Sequence, residues 1–215
     1  MMTRRDFLLG CGAAPLAEAE PYVPPCGDGR LAFRVLRNGG AIGSHTLDFV
    51  PQDDGFDVRI AIDIKVGFGP ITLFRYNLTG TERWRGGMLI SSESATNHDG
   101  KKVTFSCRRE GDGLSVSGSQ VSPYRAPGEA LTASHWNKAE LRAPWINLED
   151  GRLMRPKVEP AGLERLRRPD GTFLAAERYM LSGDATLDLW YEPNRRWASL
   201  VSRAQDGSEI RYDRI

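Results

Sequence analysis

Three histidines, three cysteines and acid pairs such as Asp53-Asp54 are the groups in this 215-residue chain whose types could carry chemistry. Zinc needs three or four neutral or soft donors at close spacing. His45, His98 and His135 are isolated, and no His-x-His or Cys-x-x-Cys spacing occurs, so no metal is expected. A serine hydrolase would place its nucleophile in a Gly-x-Ser-x-Gly elbow between a strand and a helix. Gly118-Ser119-Gln120 does not supply one. The glycines punctuate turns instead of opening helices, so no cofactor fingerprint is present and no cofactor is expected. Asp53-Asp54 falls in a polar turn, and His98 in Asn97-His98-Asp99-Gly100; both read as solvated loop residues. Two carboxylates on facing strands, as a glycosidase uses, would be invisible at this level. No catalytic residue is assigned.

His45 and His135 are the more interesting imidazoles. His45 shares a strand face with Ala41, Gly43, Leu47 and Phe49, as a core histidine or a ligand contact would. His135, beside Trp136 and Asn137, falls at the one break in the strand pattern, where cavity openings and lids occur; a helix cap next to a core tryptophan is the competing reading. Aromatic supply is ample. Trp84, Trp136, Trp145, Trp190 and Trp197 suit either a packed interior or the wall of an apolar pocket with a few polar groups. The expected ligand contacts are His45, Trp84, His135, Trp136, Trp145 and Trp190.

The elements that position these residues are strands. Phe56, Val58, Ile60, Ile62, Ile64 and Val66 alternate with Asp57, Arg59, Ala61, Asp63 and Lys65, so one face lies in the core and the other in water. Asn38-Gly39-Gly40 and Asp206-Gly207 supply hairpin turns. The same rhythm runs from Leu31 to the C-terminus and breaks at residues 123–128. It resumes after one helical-looking stretch over 134–142, with Ser134 as cap and Pro144 as stop. Pro160-Ala161-Gly162 reads as a further turn. The fold class is all-β: a single antiparallel meander of about a dozen strands closing into a barrel or half-barrel, with one short helix near 134–142.

The N-terminus is an address. Thr3-Arg4-Arg5-Asp6-Phe7-Leu8 followed by a modest apolar stretch resembles a twin-arginine export signal, and Ala17-Glu18-Ala19 offers a small-x-small cleavage site. The organisation expected is a cleaved signal over 1–19, an extended lead-in over 20–30 and a β-barrel-like domain over 31–215, in a periplasmic or secreted protein. Leu8-Leu9-Gly10-Cys11, a lipoprotein-type box, is the minority alternative. Cleavage would leave Cys26 and Cys107 in an oxidising compartment, where they form a candidate disulfide closing about eighty residues and worth about 4 kcal/mol; two unrelated thiols are the alternative. Twenty-nine basic residues interleave with 28 acidic ones for a net charge of +1, which argues against a nucleic-acid partner.

Phe33-Arg34-Val35-Leu36-Arg37-Asn38-Gly39 with Ile42-Gly43-Ser44-His45, the segment ending at Trp136-Asn137, and Asp188-Leu189-Trp190-Tyr191 with Arg196-Trp197 and Asp206–Tyr212 together resemble a bacterial exported family of unknown function. Related exported families resemble open β-barrels of the lipoprotein-carrier kind, which hold acyl chains on a concave apolar surface. The resemblance implies a β-barrel-like exported domain and no established activity. The function expected is non-enzymatic binding of an apolar or amphipathic, lipid-like molecule. A structural or protein-interaction module of the cell envelope is the alternative, and the export machinery is the partner the signal implies.

Overall fold

In a computed structural model, which describes residues 29–68, 71–168 and 170–215, the period-two segments form one thirteen-stranded antiparallel sheet. Its first run is β1 (Arg30–Arg37), β2 (Gly40–Gln52), β3 (Gly55–Phe68), β4 (Ile71–Arg85), β5 (Met88–His98), β6 (Lys101–Glu110), β7 (Gly113–Gly118) and β8 (Tyr124–Pro127). Each strand pairs with the next through a short turn. At Asn38-Gly39 both residues have positive φ, 47° and 83°, the conformation that keeps a two-residue turn in step with strand twist.

The chain then leaves the sheet. Residues 128–156 form a small layer: β9 (Leu131–Thr132), a 3-10 helix (Lys138–Arg142), β10 (Trp145–Ile146) and β11 (Leu153–Met154). β10 pairs parallel to β9 and antiparallel to β11. A second run follows, β12 (Lys157–Arg167), β13 (Phe173–Ser182), β14 (Leu187–Tyr191), β15 (Trp197–Arg203) and β16 (Glu209–Arg214), and β16 returns to pair with β1, setting Val35 opposite Tyr212. The meander is therefore two runs joined along a β16–β1 seam rather than one run in chain order.

The sheet curls without closing: β12 and β8 are its two edges. The reason lies inside the curl. Trp136, Trp145, Ile146, Leu148 and Met154 of the inserted layer are buried with Leu31, Phe33, Leu47, Phe49, Phe56, Val58 and Leu189 of the sheet, so the insert fills the space that closure would enclose. β12 carries Pro160 and a bulge between Pro160 and Gly162, devices that blunt an exposed edge. The strand thus runs through Pro160-Ala161-Gly162, which is not a turn. The short helix is the 3-10 segment alone, and its cap is Asn137, whose side chain accepts from the Ala139 amide at 3.1 Å, rather than Ser134.

Cys107 is a free thiol buried on the inner face of β6. Cys26, its expected disulfide partner, lies outside the described residues, as does the export signal over 1–19. Burial pushes the Cys107 thiol up to about 12, so little of the reactive thiolate is present at neutral pH. Iodoacetamide at pH 8 is expected to leave Cys107 unlabelled in the native protein and to alkylate it fully in denaturant without reductant. Protection that persists in denaturant until reductant is added would instead establish a Cys26–Cys107 bridge.

Candidate ligand-binding site

Two buried carboxylates hold the insert against the sheet. Glu82 lies on the inner face of β4, in phase with Leu78 and Trp84, and is 0% exposed. Its Oε2 accepts from the indole N–H of Trp84 at 2.8 Å and of Trp136 at 2.9 Å, and its Oε1 accepts from the Thr132 hydroxyl at 2.5 Å. Burial pushes this carboxyl above its usual range, while the bonds from Thr132, Trp136 and Trp84 pull it back. Around the pair of indoles, Trp136 packs edge-on to Phe49, Phe56 and Trp84 with centroids 5.2, 5.7 and 5.1 Å away. Trp84 and Trp136 are thus rivets between the layers.

Glu140, 1% exposed in its side chain, is the second. Its Oε2 accepts from the His135 amide at 3.1 Å, and its Oε1 lies 2.8 Å from His135 Nδ1 and 3.1 Å from the Tyr191 hydroxyl. Trp145 donates its indole N–H to the Glu140 carbonyl at 2.7 Å. These contacts hold His135 at φ 66°, a backbone region that non-glycine residues enter at a cost of about 1 kcal/mol. A carboxylate on Nδ1 fixes the orientation of an imidazole ring. His135 is thereby a positioned polar group whose ring lies tilted against Trp145 and edge-on to Trp197, with centroids 5.4 and 5.5 Å away.

Between the insert and strands β2–β4 and β14–β16 lies an open cavity of about 310 Å³. His45, His135 and Trp145 all line it, with Ile62, Leu78, Leu148, Met154, Leu187 and Leu200 as apolar wall and Tyr76, Glu149, Arg152, Asp184 and Tyr212 at the polar side. His45 is 3% exposed and packed by the rings of Phe33, Trp197 and Tyr212. Neither of its ring nitrogens has a hydrogen-bond partner among the described residues. Burial lowers its pKa from 6.5 to about 3, with a smaller push from nearby His135, so the ring is neutral across the physiological range. Burial likewise pushes the Tyr212 phenol up to about 12. The Tyr76 phenol is also raised, by burial first and by the Glu149 carboxylate to which it donates at 3.2 Å.

Of the residues expected to contact a ligand, the structure brings together His45, His135 and Trp145. Trp84 and Trp136 lie at Glu82 instead. Trp190 is on the outer face of the sheet, in a small cluster with Ala176 and Ala198, donating to Glu164 at 2.9 Å. His98 sits at a turn, 3.0 Å from Glu149. Glu82, Glu140 and Tyr191 were not apparent as site residues in the sequence. A glutamate in phase with Leu78 and Trp84 on a period-two strand was the available signal for Glu82.

The fold and cavity define an open, β-barrel-like protein with a small amphipathic cleft on its concave face. The chain belongs to a family described as a domain of unknown function, DUF6134, whose pattern matches residues 33–215. Among solved structures it is similar to the crystal structure of a β-barrel-like protein of domain of unknown function DUF1849 from Brucella abortus, with a TM-score of 0.60 and 10% identity over 86% of this chain and 94% of that one. At that identity the likeness concerns the fold. Comparison with curated proteins gives no sequence match.

Proposed function

We propose that this protein is an exported, non-enzymatic binder of a small amphipathic molecule in the periplasm, held in the cavity between the insert and the sheet. The observation that carries this reading is His45. A buried imidazole with two unbonded nitrogens costs about 1–3 kcal/mol per unsatisfied group, and it borders a cavity that sets an apolar wall opposite a polar one. A ligand with an apolar body and a neutral hydrogen-bonding group would offset that cost. Because the insert fills most of the concave face, about 310 Å³ is room for one short chain or a small ring system, not for a two-chain lipid. Among the described residues no hydroxyl or thiol bonds the ring of His45 or His135, so the positioned His135–Glu140 pair supports binding better than nucleophilic catalysis.

The test uses N-phenyl-1-naphthylamine, a neutral apolar fluorophore with one N–H donor. Saturable one-to-one enhancement is expected. Ala185→Trp, which fills the cavity from its half-buried wall, should abolish it, and His45→Leu should weaken it about three- to tenfold, the equivalent of one neutral hydrogen bond. Enhancement that is unsaturable, or unchanged by Ala185→Trp, would overturn the reading. Export is checked separately: intact mass of periplasmic material is expected to correspond to a chain starting at Glu20, and a chain retaining Arg4-Arg5 would contradict it.

A second reading, a protein-interaction module, draws on the exposed edge. On β12 and β13, Leu163 is 68% and Phe173 56% exposed, and among the described residues β12 has no neighbour on its far side.

A further inference from the structure

The residues of the 3-10 helix other than Glu140 border a second cleft, of about 580 Å³, that shares no lining residue with the cavity at His45. Its lining mixes polar and apolar surface, the apolar part including Leu141 from the helix, Val158 from the edge strand β12 and the ring of Tyr179 from β13. Three cations also line the cleft: Lys138, Arg142 and Arg195. Lys138 is already committed, bonded to Glu177 at 2.6 Å and lying 5.1 Å over the Tyr179 ring. Arg142 and Arg195 are exposed, and the side chain of neither meets an acid or a hydrogen-bond acceptor among the described residues. Among the described residues no carboxylate lines the cleft itself, and the one at its border, Glu177, is taken up by Lys138 and the Tyr179 hydroxyl.

Arg195 also holds an unusual place in the backbone. It is in the β14–β15 turn at φ 68°, with its amide donating to the Glu192 carbonyl at 2.8 Å. That conformation suits glycine and penalises a long side chain. The turn would be more stable with glycine, yet the residue present is an arginine that lines the cleft.

We propose that this cleft binds a single-chain amphipathic carboxylate, its head held by Arg142 and Arg195 and its alkyl chain laid on Leu141, Val158 and Tyr179. Guanidinium groups match a carboxylate with paired, charge-assisted hydrogen bonds. The exposed cations draw the anion in, and contact of the alkyl chain with Leu141, Val158 and Tyr179 supplies the free energy that surface charge alone does not. This is a site additional to the cavity at His45, and it stands or falls independently of it.

Calorimetric titration with monomeric dodecanoate, on the Ala185→Trp background that blocks the first cavity, is the test. One-to-one binding is expected, with dodecanol and acetate each at least tenfold weaker because each lacks one half of the ligand. Arg142→Ala with Arg195→Gly should weaken dodecanoate at least tenfold. Arg195→Gly alone should also raise Tm by about 2–4 °C, as removal of one strained backbone position would, which shows that lost binding is not lost folding. Absence of dodecanoate binding, equal affinity for dodecanol, or affinity unchanged in the double variant would each overturn the proposal.

Discussion

Replacement of Glu82 by alanine is expected to lower the unfolding free energy by about 4 kcal/mol, the largest effect of any single polar substitution in this protein. The carboxylate is fully buried and takes bonds from Trp84, Trp136 and Thr132. Alanine leaves those three donors without a partner in a space water does not reach, at about 1–3 kcal/mol for each before relaxation. Because Trp136 and Thr132 belong to the insert and Trp84 to the sheet, the loss is concentrated where the two layers meet. Glu82→Gln behaves differently. Its amide oxygen can accept from both indoles, and its NH₂ can donate to the Thr132 hydroxyl, which rotates to accept. That variant is expected within about 1 kcal/mol of the parent at neutral pH. The sign of its pH dependence follows from burial. The folded carboxyl titrates above its ordinary 4.5, so the parent loses stability relative to Glu82→Gln as pH rises through 4.5 toward the folded value. Urea unfolding monitored by tryptophan fluorescence at several pH values measures all three quantities. Equal losses for the alanine and glutamine variants would show that the hydrogen bonds are not what docks the insert.

His45 gives the opposite slope. Its folded pKa is about 3 against 6.5 in the unfolded chain, so between those values the unfolded state binds the extra proton. Stability from this group is complete above pH 6.5 and is lost as pH falls toward 3. At about 1.4 kcal/mol per pH unit, the full window is worth on the order of 5 kcal/mol. His45→Leu removes the titrating group and both unbonded nitrogens while keeping an apolar side chain among Phe33, Trp197 and Tyr212. It is therefore expected to match or exceed the parent at pH 7 and to lack the acid limb between pH 6.5 and 3. An acid limb that persists unchanged in His45→Leu would place its origin in other groups. The glutamate and histidine slopes overlap in pH, so each is read as the difference between parent and variant.

Local pattern carried much of this structure. The alternation from Phe56 to Val66 sets β3, and Asn38-Gly39 sets the first hairpin. The seam between β16 and β1 has no local signature, because its partners, such as Phe33 and Arg214, meet only through the curl of the whole sheet. Closure was not legible for the same reason. Whether a curling sheet closes depends on what occupies its interior, and here residues 128–156 do, a stretch whose short helical-looking piece and brief strands carry no sign that they fold inward. Trp190 shows a different limit. It is out of phase with Leu187, Leu189 and Tyr191, so strand period alone sets it on the outer face, and aromatic character is a weaker guide to a pocket than phase. His45 was placed on the correct face by that phase. Its lack of partners depends on Phe33, Trp197 and Tyr212 arriving from three other strands, which no window around residue 45 contains. Glu140 is buried through contacts with His135 and Tyr191 in an irregular segment, where no periodicity exists to mark it as inward.

The central claim is that the cavity at His45 holds a small amphipathic molecule. Native mass spectrometry of the protein isolated from the cell envelope, parent beside Ala185→Trp, tests it most directly. The parent is expected to carry a stoichiometric organic adduct, of a size suited to about 310 Å³, that is released by solvent extraction and absent from the folded variant. Parent protein that emerges at its bare polypeptide mass, and remains so after incubation with envelope extract, would contradict the account.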